Sequence, residues 1–203
     1  MAGIEDMVKS KADSLKGKKA KPKKIDTPPT DTNVKPLPKD LQKALKKQFG
    51  CDFSKVRVHT DGNIKEMSKQ LKAKAFTIDQ NIYLQKASDA KNKELLAHEL
   101  THAWQWQNRK VTGYHPLKAA REHQTQQDPY LIDPDTDGDF LSYGYEQQGR
   151  IVEEYLCCAL LDPNAPRTSR LEAMLKPYFP LEKLPSKSVV IGWKDVQVQG
   201  ICR

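Results

Sequence analysis

A chain of 203 residues with 37% hydrophobic and 30% charged side chains has room for one compact domain with a tail, or at most two small domains. Its formal net charge of +8 is uneven: residues 1–50 hold 13 Lys against 6 Asp and Glu, while the remainder carries only +1. No stretch approaches the roughly 20 apolar residues of a membrane span. The lysine-studded N-terminus also lacks the apolar run of a secretory leader, so any export would use another route.

Residues 1–36 are rich in Lys, Pro and Thr, as in Lys21-Pro22-Lys23-Lys24 and Thr27-Pro28-Pro29-Thr30. They read as a flexible basic arm, with a weak amphipathic helix around Ile4 to Leu15. Such an arm can bind phosphates, but it has few aromatic side chains to stack on bases, so a nucleic-acid partner is disfavoured. The domain is expected to span residues 37–203.

Asp40 is placed to cap a helix over Leu41 to Phe49, where Leu41, Leu45 and Phe49 recur at helical spacing and Gly50 ends the run. Val56 and Val58 alternate with Arg57 and His59 as a short strand. Ile64, Met67 and Leu71 give helical spacing to Asp61 to Lys72. Ala75 to Ile78 and Ile82 to Leu84 flank Asp79-Gln80-Asn81, which predicts a hairpin with a three-residue turn and positive φ at Asn81. Lys91 to Arg109 reads as one helix with an apolar stripe of Leu95, Leu96, Leu100, Ala103 and Trp104. A second hairpin is predicted from Tyr130-Leu131-Ile132 and Phe140 to Tyr143, then a helix from Glu146 to Leu161. Ser188 to Ile191 is a late strand candidate. The expected class is α+β, with a sheet edge bordering the Lys91–Arg109 helix.

There is no C-x-x-C pair among Cys51, Cys157, Cys158 and Cys202, which argues against a thiolate metal site. Cys157 and Cys158 read as small buried hydrophobes. Cys51 and Cys202 are a candidate pair that the sequence alone does not decide.

The chemistry centres on His98-Glu99-Leu100-Thr101-His102. Histidines four apart share one helix face and can reach one ion. Zinc held by imidazoles and a carboxylate lowers the pKa of a water to about 7, and Glu99 stands where it can take that proton. Two histidines leave the site one protein ligand short. Glu146, Glu153, Glu154, His115 and His123 are the candidates. Glu146 opens a predicted helix that would cross the site, and Glu153, two turns along the same face, is the runner-up. His115 and His123 fall in a polar segment read as loop. Tyr143, Tyr145 and Tyr155 are candidate oxyanion donors among which nothing chooses, and His59 reads as a strand histidine that orders the fold. Asp133, Asp135, Asp137 and Gly138 imitate the start of a calcium loop. Gly144 would fall at the twelfth position, where the loop needs a bidentate glutamate, so the segment reads as an acidic turn.

Phe49 to Asp61, Ala75-Phe76-Thr77 with Ile82-Tyr83, and Leu95 to His102 together resemble a bacterial zincin domain associated with contractile injection systems. The likeness covers about residues 37–108. Where that family has Gly after the Phe-Thr strand, this chain has Asp79-Gln80-Asn81. Tyr145 to Tyr155 resembles a segment of metallopeptidase effectors carried on type VI secretion spikes. In those, the glutamate before Gln-Gln is the third ligand, and Ala usually stands where this chain has Gly149. The resemblance implies a zincin-like metallopeptidase domain whose small sheet packs on the metal helix, with Zn2+ held by His98, His102 and Glu146 and with Glu99 as general base. It also implies toxin or effector roles: residence in the bacterial cytoplasm, delivery without a signal peptide into a target cell's periplasm or cytoplasm, and as partners a protein or peptide substrate, a spike or tube component and an immunity protein, with no membrane partner. The substrate peptide is expected to add as a strand along Ile82 to Leu84. The rivals are cleavage of a cell-wall amide, a non-catalytic zinc-binding adaptor domain of an injection particle, and a nucleic-acid binder working through the arm.

Overall fold

A computed structural model of the chain describes residues 28–181 and Cys202. The helix around Ile4 to Leu15 and the strand at Ser188 to Ile191 lie outside the described residues. The described chain is mixed α+β, with seven α-helices and one four-stranded sheet.

The sheet holds β1 (Asn33–Pro36), β2 (Arg57–Thr60), β3 (Ala75–Ile78) and β4 (Asn81–Leu84) in the order β1-β2-β4-β3. β1 pairs antiparallel with β2, β2 parallel with β4, and β4 antiparallel with β3. Two expectations change here. β4 is an interior strand, so Ile82 to Leu84 offers no free edge; the open edge beside the helices is β3. The arm also ends earlier than residue 36, because Asn33–Pro36 form the other edge strand. Thr32 Oγ1 lies 2.8 Å from His59 Nδ1, and His59 Nε2 lies 3.0 Å from Asn81 Oδ1. His59 therefore ties the segment before β1 to β2 and β4, an ordering role as expected.

α1 (Lys39–Phe49) starts one residue before Asp40, with Pro38 as N-cap and no side-chain cap, so Asp40 sits in the first turn. Acidic groups favour that turn because its N–H groups are unpaired. Gly50 closes the helix at φ 67, donating its N–H to Lys46 O. α2 (Ile64–Leu71) precedes β3. The β3–β4 connection is tighter than predicted. β4 begins at Asn81, leaving a two-residue turn in which Asp79, not Asn81, takes φ 57. Aspartate tolerates the left-handed region better than most residues, so the glycine is dispensable here.

α3 (Lys93–Gln107) carries the His-Glu pair. Asn92 caps it, accepting from Leu95 N–H at 3.0 Å. It is not a surface helix with one apolar stripe, because every residue from Leu96 to Gln105 is buried. Leu96, Leu100, Ala103 and Trp104 join the main core with Phe49, Phe53, Phe140, Ile151 and Phe179. The polar residues between them are enclosed as well, because α3 is flanked by β3 on one side and α6 (Tyr145–Leu161) on the other. Burying each large apolar side chain contributes about 1.5–3 kcal/mol, which holds the polar face in place.

α4 (Arg109–Thr112) and α5 (Pro116–Thr125) follow, and α7 (Pro166–Leu175) packs on α6. The predicted second hairpin is absent: residues 130–139 form no strand and are irregular chain with short turns, and Phe140–Ser142 form a 3₁₀ turn. Phe140 is fully buried against Trp104 and Phe179, so its neighbours serve the helical core rather than a ladder. Cys158, not Cys51, is bonded to Cys202, with Cα atoms 5.6 Å apart. Cys51 is a free thiol pushed up to about 12 by burial and by Asp52.

Candidate metal centre

His98 and His102 lie one turn apart on α3 with ring centroids 4.9 Å apart. Glu146, in the first turn of α6, reaches between them. His98 Nε2 and His102 Nε2 are 3.2 Å apart, and Glu146 Oε2 is 3.2 Å from the first and 3.5 Å from the second. Three donor atoms from two helices thus converge on one point. Both histidines are 5% exposed and the Glu146 side chain 12%. Among the described residues these three form the group able to hold a metal ion. The acidic residues at 133–137 do not form another, and Asp133 instead accepts the N–H of Asp135.

Each donor is oriented by a neighbour. His102 Nδ1 lies 2.8 Å from Gln105 Oε1. An amide oxygen only accepts, so Nδ1 carries the proton and Nε2 keeps its lone pair for the site. Gln105 Nε2 in turn donates to Gln148 Oε1 at 2.9 Å and to the Tyr145 carbonyl at 3.2 Å, and Gln148 Nε2 donates to the Tyr143 carbonyl at 2.8 Å. This buried amide chain locks α3 to the start of α6. Glu153 stands behind His98: its Oε2 lies 3.5 Å from Nδ1, and its Oε1 pairs with Arg150 at 3.1 Å. Glu153 therefore backs a histidine, whereas Glu146 completes the triangle that could hold an ion. The start of α6 is held by Glu122 of α5, whose Oε2 accepts Tyr145 N–H at 2.8 Å.

Glu99 stands beside the triangle and is tied to β3. Thr77 Oγ1 donates to Glu99 Oε2 at 2.7 Å, and no hydrogen bond reaches Oε1 among the described residues. Burial raises the Glu99 carboxyl above the usual range against the opposing pull of His98 and His102. Burial would lower His98, yet Glu146 and Glu153 outweigh it and hold the imidazole up to about 10. Glu146 is the converse case: burial works to raise it, and the two histidines hold it far below the ordinary carboxylate range. The donor set is anionic and imidazole-rich, and its orientation suits a divalent cation.

Several residues at the site were not singled out in the sequence. Thr77, Gln105 and Gln148 orient the others. Tyr130 lies 5.7 Å from the His98 ring, with its hydroxyl 2.8 Å from His123 Nε2. Tyr114 lies 6.4 Å from the His102 ring. The three candidate oxyanion tyrosines stand elsewhere. Tyr143 bonds Thr136 and Gly138, Tyr145 donates to the Gly113 carbonyl, and Tyr155 packs on the main core. His115 caps α5, whereas His123, on α5 rather than in a loop, lines the cleft. Only Gln105 had a local signal, three residues after His102 on the same helix.

The ligand atoms form the floor of a cleft in two parts. One, of about 580 Å³, includes His98, Glu99 and Glu153; the other, of about 470 Å³, includes Glu99, His102 and Glu146. Ala73, Ala75 and Tyr130 line both. No helix of the described residues is long and apolar enough to cross a membrane. No curated protein and no solved structure matches the chain. Residues 36–110, from the end of β1 through His98, Glu99 and His102 but short of Glu146, match the family model described as the eCIS core domain, a domain of extracellular contractile injection systems.

Proposed function

We propose that this chain is a zinc-dependent peptide hydrolase of the zincin type that acts as an effector of a contractile injection system. The observation that carries the reading is the ligand triangle with Glu99 beside it. A tetrahedral zinc ion with bonds of about 2.0–2.1 Å spaces its ligand atoms about 3.3–3.4 Å apart. The three separations here, 3.2, 3.2 and 3.5 Å, suit that ion. A purely structural site has no use for a buried carboxylate next to the first histidine.

Bound zinc would supply positive charge and a water acidified to near neutrality. Glu99 then acts as general base: Thr77 occupies one oxygen and orients the carboxylate, and the other is free to accept a proton. Burial suits it to that task and to the later return of the proton to the leaving amine. Tyr130, held by His123 and facing His98, is the hydroxyl placed to stabilise a developing oxyanion. The exposed edge of β3 beside Glu99 is where an extended peptide would pair as an added strand. The eCIS match supports a contractile-injection setting with particle components as partners, and delivery into a target cell is our extension of it.

Elemental analysis of purified protein, combined with a screen of peptide substrates, tests this reading. We expect about one zinc per chain, chelator-sensitive hydrolysis, and loss of hydrolysis with retention of zinc in Glu99→Ala. Wild-type activity in Glu99→Ala would overturn the assignment.

A further inference from the structure

The two halves of the cleft differ in chemistry. On the His98 side the walls carry Lys72, Lys74, Asp128, Arg150, Glu153 and Glu154. On the His102 side apolar residues predominate, among them Leu71, Phe76, Ile78, Pro116, Leu117 and Ala120. The boundary falls at Glu99 and Tyr130, where the reacting bond would lie. Phe76 stacks on Tyr83 with centroids 5.0 Å apart, and both belong to a small core with Ile64. That wall is therefore packed from behind. The facing wall comes from α5, where Ala119 is buried and Leu117 is 65% exposed at the rim. An apolar hollow of about 470 Å³, continuous with the metal ligands, gains most from an apolar side chain that it can desolvate. On the opposite side Arg150 pairs with Glu153 and Arg167 with Glu154, and these charges penalise an apolar occupant.

We propose that the His102-side hollow is the specificity pocket of the hydrolase: it accepts one large apolar side chain, such as leucine, phenylalanine or methionine, on one flank of the cleaved amide, while the His98 side takes polar or charged residues on the other. This rests on the hydrolase reading above. Ala120 and Leu117 on α5 are its specificity-determining residues. Arg121, an exposed side chain, and His123 also line the hollow from α5, and the Asp-containing peptide in the test below separates their charge from the pull of the apolar walls.

The test uses the full chain loaded with zinc and a mixture of peptides randomised at every position, with products sequenced by mass spectrometry. Cleavage should show at least tenfold enrichment of large apolar residues on one flank only. Ala120→Trp, which fills the hollow, should lower kcat/KM for the favoured peptides about tenfold to a hundredfold. It should spare peptides with Gly or Ala at that position and leave zinc content unchanged. Leu117→Lys, at the exposed rim, tests the same wall without risk to the core and should cut the apolar preference. Fluorescence anisotropy with the inactive Glu99→Gln protein provides a second readout, in which a Leu-containing peptide should bind at least tenfold more tightly than its Asp counterpart. Cleavage without a flanking preference, equal apolar preference on both flanks, or indifference to both α5 substitutions overturns the pocket and leaves the hydrolase reading intact. No cleavage by wild type beyond that of Glu99→Ala overturns the hydrolase reading, and the pocket with it.

Discussion

Gly149 of α6 lies against the ring of His98, so closely that a Cβ at this position would stand 2.7 Å from Cε1 and 2.9 Å from both ring nitrogens. The missing side chain is what lets α6 approach α3 near enough for Glu146 to reach both histidines. Alanine inside a helix is favoured over glycine by about 0.8–1 kcal/mol, so the sequence forgoes helix stability at this point. We expect Gly149→Ala to displace His98 and weaken metal binding by about tenfold to a hundredfold, the range typical of disturbed ligand orientation. The metal-free protein should stay folded. Competition with a chromophoric chelator measures the first effect and thermal melting in EDTA the second. Unchanged affinity would show that the ring has another rotamer available.

Gln105 sets the proton position on His102 and shares the buried amide chain with Gln148. Gln105→Leu removes both functions. Metal affinity should fall about tenfold or more, and stability by about 1–3 kcal/mol, because Gln148 loses a partner in a buried setting. Chelator competition and urea unfolding of the metal-free form separate the two losses.

Glu146 and Glu153 face opposite nitrogens of His98. On the proposed reading Glu146→Gln replaces a ligand oxygen, whereas Glu153→Gln weakens only the support behind the ring. Metal retained after dialysis should therefore fall much further in the first, with affinity reduced about a hundredfold or more against about tenfold in the second. The reverse order would place Glu153 in the ligand set.

In the metal-free protein His98 is raised from an ordinary 6.5 to about 10. A group raised on folding contributes stability that is fully present below its unfolded value and lost as pH climbs through the folded one. The chelated protein should thus melt at progressively lower temperature from about pH 6.5 to 10. Glu146, held low by the same histidines, makes the complementary contribution, which fades in acid below the usual carboxylate range. Apparent metal affinity should rise with pH over the alkaline window, because binding displaces the His98 proton. His102 is raised as well, by Glu146, so melting curves of wild type and His98→Gln in EDTA should show a slope that the substitution reduces.

Removing residues 1–36 should destabilise the fold relative to removing residues 1–27. The longer deletion takes β1 and Thr32, and with them the bond to His59. It also takes Thr30, which donates to Asn63 Oδ1 at 2.9 Å and packs with Asp31 on Gly62. A loss of about 1–3 kcal/mol corresponds to a melting-temperature drop of roughly 3–10 °C in a chain of this size. Equal melting temperatures for the two deletions would show that β1 is dispensable.

The local elements were legible in the sequence because they rest on short-range physics. The 3.6-residue spacing marked α1, α3 and α6, the Gly50 stop followed from its freedom at positive φ, and the i, i+4 histidines with the adjacent glutamate marked the candidate metal site. Glu146 could also be nominated from its place at a helix start. What only the tertiary structure decided is which side chains stand behind these. Thr77 lies on a strand 22 positions before Glu99, and Gln148 lies 43 positions after Gln105; no periodicity connects them. The second hairpin failed because Phe140 was drawn into the core formed by Trp104 and Phe179, where burial outweighs strand propensity. The open edge is β3 rather than Ile82 to Leu84 because β4 pairs with β2 across the chain, and such pairing is set by how the whole sheet assembles. The division of the cleft into an apolar and a charged half has the same origin, since α2, α5 and α6 each supply walls that only packing brings together.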